Sequence, residues 1–476
     1  MGWVIRAKQV DVPRRPVARL ATVIGPERLD RLLAGAAAFR ERVAGRVIWN
    51  VNSTAVGGGV AEMLQVLCGY VLDLGIDIRW TTIDGDPDFF ALTKSLHNRI
   101  HGRADADELG PAEAVHYEAT LTANATELFE RIRPGDLVIL HDPQTAGLAS
   151  ALVEHGALVI WRCHIGADHH DEITDNAWEF LRPYLRTVHG YVFSRRSYPP
   201  TWVPDDETWI IPPSIDPFSA KNQPMDPDTV RAILVGIGIL AGTADSDPHR
   251  FTRRDGTSAE VVRRAQVVAE ELPTPDDQYV LQVSRWDRLK DMGGVMRGFA
   301  EYVAPTGPGY LVLAGPAVDG VSDDPEGLAV YRECLGQWNQ LPPDVRRRVV
   351  LVNLPVDDVD ENAAMVNALQ REAAVIAQKS LAEGFGLTVA EGMWKGRPTV
   401  GSAVGGIKDQ IVDGTGILID DPADLASFGA ALRELLDRPD VATHMGAAAN
   451  RYVAANFVGD LHMLRYAQLF ETFLVT

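Results

Sequence analysis

The sequence predicts an α/β protein built from two doubly wound domains, and three observations carry that expectation. Short β-branched or apolar runs alternate with longer stretches of helical period through most of the 476 residues. Several of these runs are apolar throughout, as parallel strands covered on both faces must be. The alternation stops near Asp216 and resumes near Val280, leaving two βα arrays of roughly 200 residues each, the pattern of two doubly wound domains.

In the first array the predicted strands are Arg46–Val51, Ile76–Ile83, Leu137–Leu140, Leu158–Arg162, Tyr191–Phe193 and Trp209–Ile211. Between the first two, Val60, Met63, Leu64, Leu67, Val71 and Leu74 form one stripe of an amphipathic helix. From Asp216 to Asp277 six prolines and the charged stretch His249–Asp255 break the rhythm. Helix is expected at Asp228–Ile239 and Ser258–Glu271, with residues 243–275 forming an irregular insertion in the link. The second array has strands at Val280–Val283, Leu311–Ala314, Val349–Val352, Val375–Ala377, Thr399–Val400 and Ile417–Ile419. Helices are expected at Met292–Val303, Ala363–Glu372 and Leu425–Leu436. Leu461, Leu464, Ala467, Phe470 and Phe473 recur at near-helical spacing and predict a packed final helix.

Composition narrows the function. Lys and Arg total 45 against 65 Asp and Glu, a formal net charge of −20. Nucleic acid and anionic membranes both ask for a basic face, so neither is an expected partner. Three scattered cysteines give no disulfide framework, which suits a reducing compartment. Residues 1–20 lack the apolar centre of a signal peptide. The longest apolar run, Ala232–Gly242, is too short to span a bilayer. A soluble cytoplasmic protein is expected.

Three motifs carry chemistry. Gly57-Gly58-Gly59 lies between a strand and a helix, where backbone N–H groups can approach an anion. It is neither a dinucleotide fingerprint nor a Walker A loop, and on its own it also fits a plain tight turn. Ser284–Asp291 follows strand Val280–Val283 and holds Arg285 and Lys290, a fork and a point charge suited to a diphosphate; as a charge run in isolation it also fits a solvated face, against which its place beyond a buried strand counts. The third motif, Gln378–Glu391, passes from a strand through Gly384-Phe385-Gly386 into a helix beginning near Leu387. Glu383 precedes that helix and Glu391 lies about one turn inside it, where a carboxylate can accept bonds from vicinal hydroxyls.

The run Gln378–Glu391, with its two glutamates, resembles the signature of retaining glycosyltransferases of the GT-B fold, and the Arg285/Lys290 pair and triple glycine resemble that family's donor site. Longer pieces resemble the trehalose-forming members: Ser53–Glu62, Phe89–Gly102, His141–Gln144, Trp161–Ile165, Pro212–Pro217 and Gly396–Gly414. The resemblance covers residues 45–476 outside the insertion.

It implies two Rossmann-like domains facing a cleft: an acceptor-side domain, 1–217, with helix 460–476 packing back on it, and a nucleotide-sugar domain, 218–459. Arg285 and Lys290 would hold the donor diphosphate, Glu391 the ribose and Glu383 the transferred sugar. Gly57, Gly58 and Gly59 would close over the phosphates, beside the turn Gly384, Phe385, Gly386 and Leu387. His164 would lie near the reacting sugar, with Asp142, Gln144 and Arg162 orienting the acceptor. The implied reaction moves glucose from a nucleotide-diphosphate glucose, UDP- or ADP-linked, to glucose with retention, giving α,α-trehalose. No obligatory metal or other cofactor is implied, and a homodimer is allowed. Thr145 and Gly166 depart from the family's usual strings, both on the acceptor side.

Other constellations compete. Cys163, His164, Asp168, His169, His170, Asp171 and Glu172 include metal-ligand types, and His97 and His101 stand four apart, but no zinc-site spacing appears. Glu383 and Glu391 read as a glycosidase pair would have to face each other across a sugar. Trp161, Trp178, Trp286 and Trp394 are candidates for stacking on sugar or base, with core packing the better reading for the helical Trp178 and Trp394. A trehalose phosphorylase would use the same cationic pair for phosphate. A non-enzymatic sugar-nucleotide sensor fits poorly with intact Arg285, Lys290, Glu383 and Glu391.

Overall fold

The computed structural model describes residues 6–55, 58–103, 109–243, 249–318 and 325–474. They fall into two compact units, Met1–Ser214 with Phe457–Thr476, and Ile215–Asn456.

The first unit is organised on a seven-stranded sheet: β1 (Lys8–Val10), β2 (Ile48–Asn52), β3 (Ile78–Thr82), β4 (Leu137–His141), β5 (Leu158–Cys163), β6 (Gly190–Phe193) and β7 (Thr208–Ile210). Their order is β1-β3-β2-β4-β5-β6-β7, parallel except for β1, which pairs antiparallel with β3 at one edge. β2 and β4 are buried at every position, which explains the apolar run Leu137–Leu140 in β4, whereas β2 also buries Asn50 and Asn52. β1 has three residues and little burial, so no pattern announces it. Successive strands run outward from β2 in opposite directions, β3 to one side and β4 to the other. The carboxyl ends of β2 and β4 therefore flank a topological switch point, where such folds bind ligands.

The last helix, Gly459–Phe473, belongs to this unit and packs on helix Pro26–Arg42. Phe39 and Phe470 stack with centroids 6.1 Å apart. Arg28 donates to both oxygens of the buried Asp460, at 2.9 and 2.8 Å.

The second unit repeats the plan. A two-stranded hairpin, β8 (Arg250–Thr252) and β9 (Ser258–Glu260), precedes a sheet of β10 (Gln266–Val268), β11 (Tyr279–Val283), β12 (Tyr310–Pro316), β13 (Val349–Leu354), β14 (Val375–Gln378), β15 (Thr399–Ser402) and β16 (Gly416–Ile419). The order is β10-β13-β12-β11-β14-β15-β16, with β10 antiparallel at the edge. The switch point here lies between β11 and β14.

The link departs from the sequence expectation. Pro227–Gly236 is helical, but Ser258–Glu271 is not; it contributes β9 and β10. The backbone N–H groups of Val262 and Arg263, which a helix would use internally, donate to the buried Glu361 carboxylate at 2.7 Å. Paired valines at 261–262 and 267–268 also suit extended chain. The helix expected from Ala363 also begins earlier. The helix starts at Val359 with Asp358 as its N-cap, one turn before the expected Ala363. Asp358 is held by Arg253 at 2.8 and 2.6 Å, and Asp360 by Arg254 at 2.8 Å.

Candidate functional site

In the second unit, the two loops singled out by sequence leave the two strands that flank the switch point. Ser284–Asp291 follows β11 and Lys379–Gly386 follows β14. Gln282, inside the otherwise apolar β11, ties them together. Its amide oxygen accepts from the Lys379 N–H at 3.0 Å and its amide nitrogen donates to the Lys290 carbonyl at 2.6 Å. The Leu381 N–H donates to the Leu289 carbonyl at 2.7 Å. Asp291, at φ 46°, caps helix Met292–Tyr302 and pairs with the buried ammonium of Lys379. Gln282, Lys379 and Asp291 were not among the expected site residues. The signal available was a glutamine within a buried strand, which must find partners.

Lys290 donates to Glu383 Oε2 at 2.6 Å, and the Ser380 hydroxyl donates to the same oxygen at 3.3 Å. Arg285 stands nearer solvent, 57% exposed, with Asp287 at 3.2 Å. Gly386, at φ 82°, is the N-cap of helix Leu387–Trp394, a conformation that strongly favours glycine. Gly406 donates to the Gly384 carbonyl at 3.0 Å, and a side chain on Gly406 would lie 2.6 Å from the Phe385 Cα. The turn is thus held tightly from behind. Phe385 is buried, and Leu387 opens a helix whose N–H groups suit phosphate oxygens. Glu391, one turn along, is only 5% exposed, and Lys221 lies 3.6 Å from its Oε1. Trp286 is not a stacking surface. It is buried, its indole N–H donating to Asn353 Oδ1 at 2.9 Å and shared with the Pro316 carbonyl.

In the first unit the expected acceptor-side residues gather at the carboxyl ends of β4 and β5. The Arg162 guanidinium donates from Nε to His164 Nδ1 at 3.5 Å. His164 Nε2 faces His141 Nδ1 at 2.9 Å, and His141 Nε2 faces Asn50 Oδ1 at 3.1 Å. Arg162 can only donate and Asn50 Oδ1 can only accept, so the chain has one direction: each neutral imidazole accepts on Nδ1 and donates from Nε2. Burial first, and the Arg162 charge second, push His141 down to about 3 and hold His164 well below the usual imidazole range. Both ring nitrogens of His164 are therefore committed within this relay. The His164 backbone N–H donates to Asp142 Oδ1 at 2.7 Å, and burial raises the Asp142 carboxyl to about 7 against the lowering pull of that bond and of Arg162. Asp142 sits at φ 63°, anchored where its N–H meets the Arg162 carbonyl at 2.8 Å. Gln144 is half-buried beside it.

Trp161 and Trp178 are buried core residues. Trp394 is half-buried and donates to the Asn222 carbonyl at 3.1 Å. Gly57 lies outside the described residues; Gly58, at φ 81°, caps helix Gly59–Asp73, in which Gly59 is the first residue. Behind the relay lies a cavity of about 80 Å³ between that helix, helix Pro26–Arg42 and the last helix. Its lining is mostly aliphatic and aromatic, which offers a sugar few partners. The metal-ligand types near Cys163 disperse: Asp168 pairs with Arg195, Asp171 caps helix Glu172–Leu185, and the Cys163 thiol donates to the Ile165 carbonyl. Among the described residues no group of three or more His, Cys, Asp or Glu is placed to hold a metal ion.

The chain is similar to known proteins over most of its length. A family model for the trehalose synthase N-terminal domain matches residues 50–200, and one for group 1 glycosyl transferases matches residues 359–452. The trehalose synthase of Pyrococcus horikoshii is 32% identical over 98% of each chain, and that of Rubrobacter xylanophilus 34% identical over 88% of each. Among solved structures, an α,α-trehalose-phosphate synthase from Burkholderia vietnamiensis matches 90% of this chain and 98% of its own, with a TM-score of 0.64 at 14% identity, a likeness of fold. This chain belongs to the trehalose synthase family of GT-B glycosyltransferases.

Proposed function

We propose that the protein transfers glucose, with retention of configuration, from a nucleotide-diphosphate glucose to glucose, forming α,α-trehalose. The observation that carries this reading is the pair of loops at the switch point of the second unit. It holds Arg285 and Lys290, a carboxylate at Glu383, a glycine turn opening a helix, and Glu391 one turn inside it. Cations and a helix start suit the diphosphate; the carboxylates suit hydroxyls.

The acceptor oxygen attacks the anomeric carbon on the face from which the diphosphate departs. Its proton passes to a diphosphate oxygen as the carbon–oxygen bond to phosphate breaks. Arg285 and Lys290 stabilise the negative charge that develops on the leaving group. Glu383 is bound to Lys290, which suits a carboxylate that orients a sugar and balances a cation rather than one that attacks carbon. In the first unit Asp142 and Gln144 orient the acceptor, while the buried Arg162 and His164 hold Asp142 in place through the Arg162 carbonyl and the His164 N–H. The nucleotide sugar is a co-substrate, and the cations of the chain take the place a metal would have at the diphosphate.

The test is a product scan with UDP-, ADP- and GDP-glucose against glucose and glucose phosphates, with anomeric analysis of the disaccharide. α,α-Trehalose from a nucleotide donor and free glucose is the expected result. Trehalose turnover only with inorganic phosphate, or a β-linked product, would overturn the proposal.

A further inference from the structure

The segment Asp216–Gln223, which brings Lys221 beside Glu391, is strapped to the helix that carries that glutamate. The buried Lys395 ammonium donates to Asn222 Oδ1 at 2.8 Å, to Gln370 Oε1 at 2.7 Å and to the Glu391 carbonyl at 3.1 Å. Those are three acceptors for three protons, from three different elements. Arg371 and Trp394 add bonds to the Asn222 carbonyl at 3.2 and 3.1 Å. A lysine so buried, with neutral acceptors only, is costly to keep charged, so an arrangement that uses all its protons is specific. The strapped segment sets Lys221 at 3.6 Å from Glu391 Oε1.

We propose that Lys221 is a further nucleotide-binding residue, orienting the Glu391 carboxylate toward the ribose hydroxyls, and that Lys395 is the positioning residue that holds it there. The inference rests on the reading of Glu391 as the ribose contact. A cation beside Oε1 bears on the plane of the carboxylate, and so on the direction from which it can accept bonds from a diol. The role is selective: it concerns the nucleoside end of the donor and not the diphosphate.

Equilibrium binding of UDP, ADP and inorganic pyrophosphate to the intact protein separates the possibilities. Lys221→Met and Lys395→Met should each weaken the preferred nucleoside diphosphate about tenfold, the scale of one charge-assisted bond, while pyrophosphate affinity changes less than twofold. In steady state the donor KM rises and kcat holds. Unchanged nucleotide binding in Lys221→Met, or an equal loss for pyrophosphate, would overturn the proposal. Folded Lys395→Met with normal nucleotide binding would overturn its positioning part. Should Lys395→Met fail to fold, Lys221→Met decides alone, since that side chain is 22% exposed. Glu391→Gln run beside them tells the two readings apart. If it leaves nucleotide binding intact, the ribose assignment itself fails; if it weakens binding while Lys221→Met does not, only this inference fails.

Discussion

Lys290 and Glu383, 93 residues apart in sequence, meet at 2.6 Å between the two loops of the second unit, with side chains 16% and 10% exposed. The proposed diphosphate cation and the proposed sugar carboxylate are therefore one electrostatic unit. Removing either leaves the other partly buried without this counter-charge, the costly direction of such a change.

Arg285→Ala and Lys290→Ala should each lower kcat/KM by about 10²-fold or more, the scale of one lost transition-state donor. Because Lys290 also holds Glu383, the double variant Lys290→Ala/Glu383→Gln should lose less than the product of the single losses. Arg285, whose side chain is 57% exposed with Asp287 beside it, should combine multiplicatively with Glu383→Gln. Wild-type rates in Arg285→Ala would show that side chain to be only a solvated charge.

Asp142 should give the reaction a transition near neutral pH. Burial raises its carboxyl to about 7, so the ionised form, the better acceptor for sugar hydroxyls, grows in as pH rises from 6 to 8. Acceptor KM should fall over that range and become flat in Asp142→Asn. The same shift acts on stability in the opposite direction. The folded-state value lies above the ordinary 3.8, so the contribution is full below about pH 4 and is lost as pH rises through 7. An acceptor KM in the wild type that does not change with pH would refute the assignment.

The last helix should owe its docking to one ion pair far more than to another. Asp460 is buried, and its side chain and that of Arg28 are 1% and 19% exposed. Arg28→Ala should cost about 2 kcal/mol in urea unfolding, below the full cost of breaking a wholly buried pair because Arg28 keeps some water. Arg42 and Glu471, at 3.7 Å and 52% and 31% exposed, should contribute under about 0.5 kcal/mol. Deleting residues 460–476 should destabilise the first unit outright. Equal midpoints for Arg28→Ala and Arg42→Ala would contradict this ordering.

Chelation should leave most activity intact. The Asp-x-Asp string at 358–360 is occupied by Arg253 and Arg254, and the Arg253 bond first, with the backbone N–H groups of Glu361 and Asp360, holds the Asp358 carboxyl down at about 2. Activity abolished by EDTA and restored by Mg²⁺ or Mn²⁺ would reverse the expectation.

What was legible in the sequence was what burial dictates. β2, β4, β11 and β13 are buried at every position and mostly apolar, and each lies within a residue or two of its expected bounds. β1, β8, β9 and β10 were missed because three-residue edge strands bury too little to leave a pattern. The Ser258–Glu271 helix failed for a long-range reason: Glu361, about 100 residues away, takes the N–H groups of Val262 and Arg263. In the site, the charged loop residues stood out, while the partners that set them did not. Asn50, Gln282 and Lys395 are polar residues in buried places, and only the fold reveals what each one bonds.

The final prediction separates the two glutamates. Glu391 lies inside the helix at 5% exposure, beside Lys221. Contacts with a ribose differ little between ground and transition states, so Glu391→Gln should raise the donor KM and leave kcat nearly unchanged. Glu383 precedes Gly386 and is bound to Lys290 and Ser380. Its charge can act more strongly as positive charge develops on the sugar ring, and its loss also releases the cation that faces the leaving group. Glu383→Gln should therefore lower kcat more than it changes donor affinity. A purely structural Glu383, bracing the turn at Gly386, would instead lower the melting temperature and leave kinetics per folded molecule intact. Steady-state kinetics paired with melting temperatures for both variants decides between these, and the same loss in the same parameter for both would refute the division of roles.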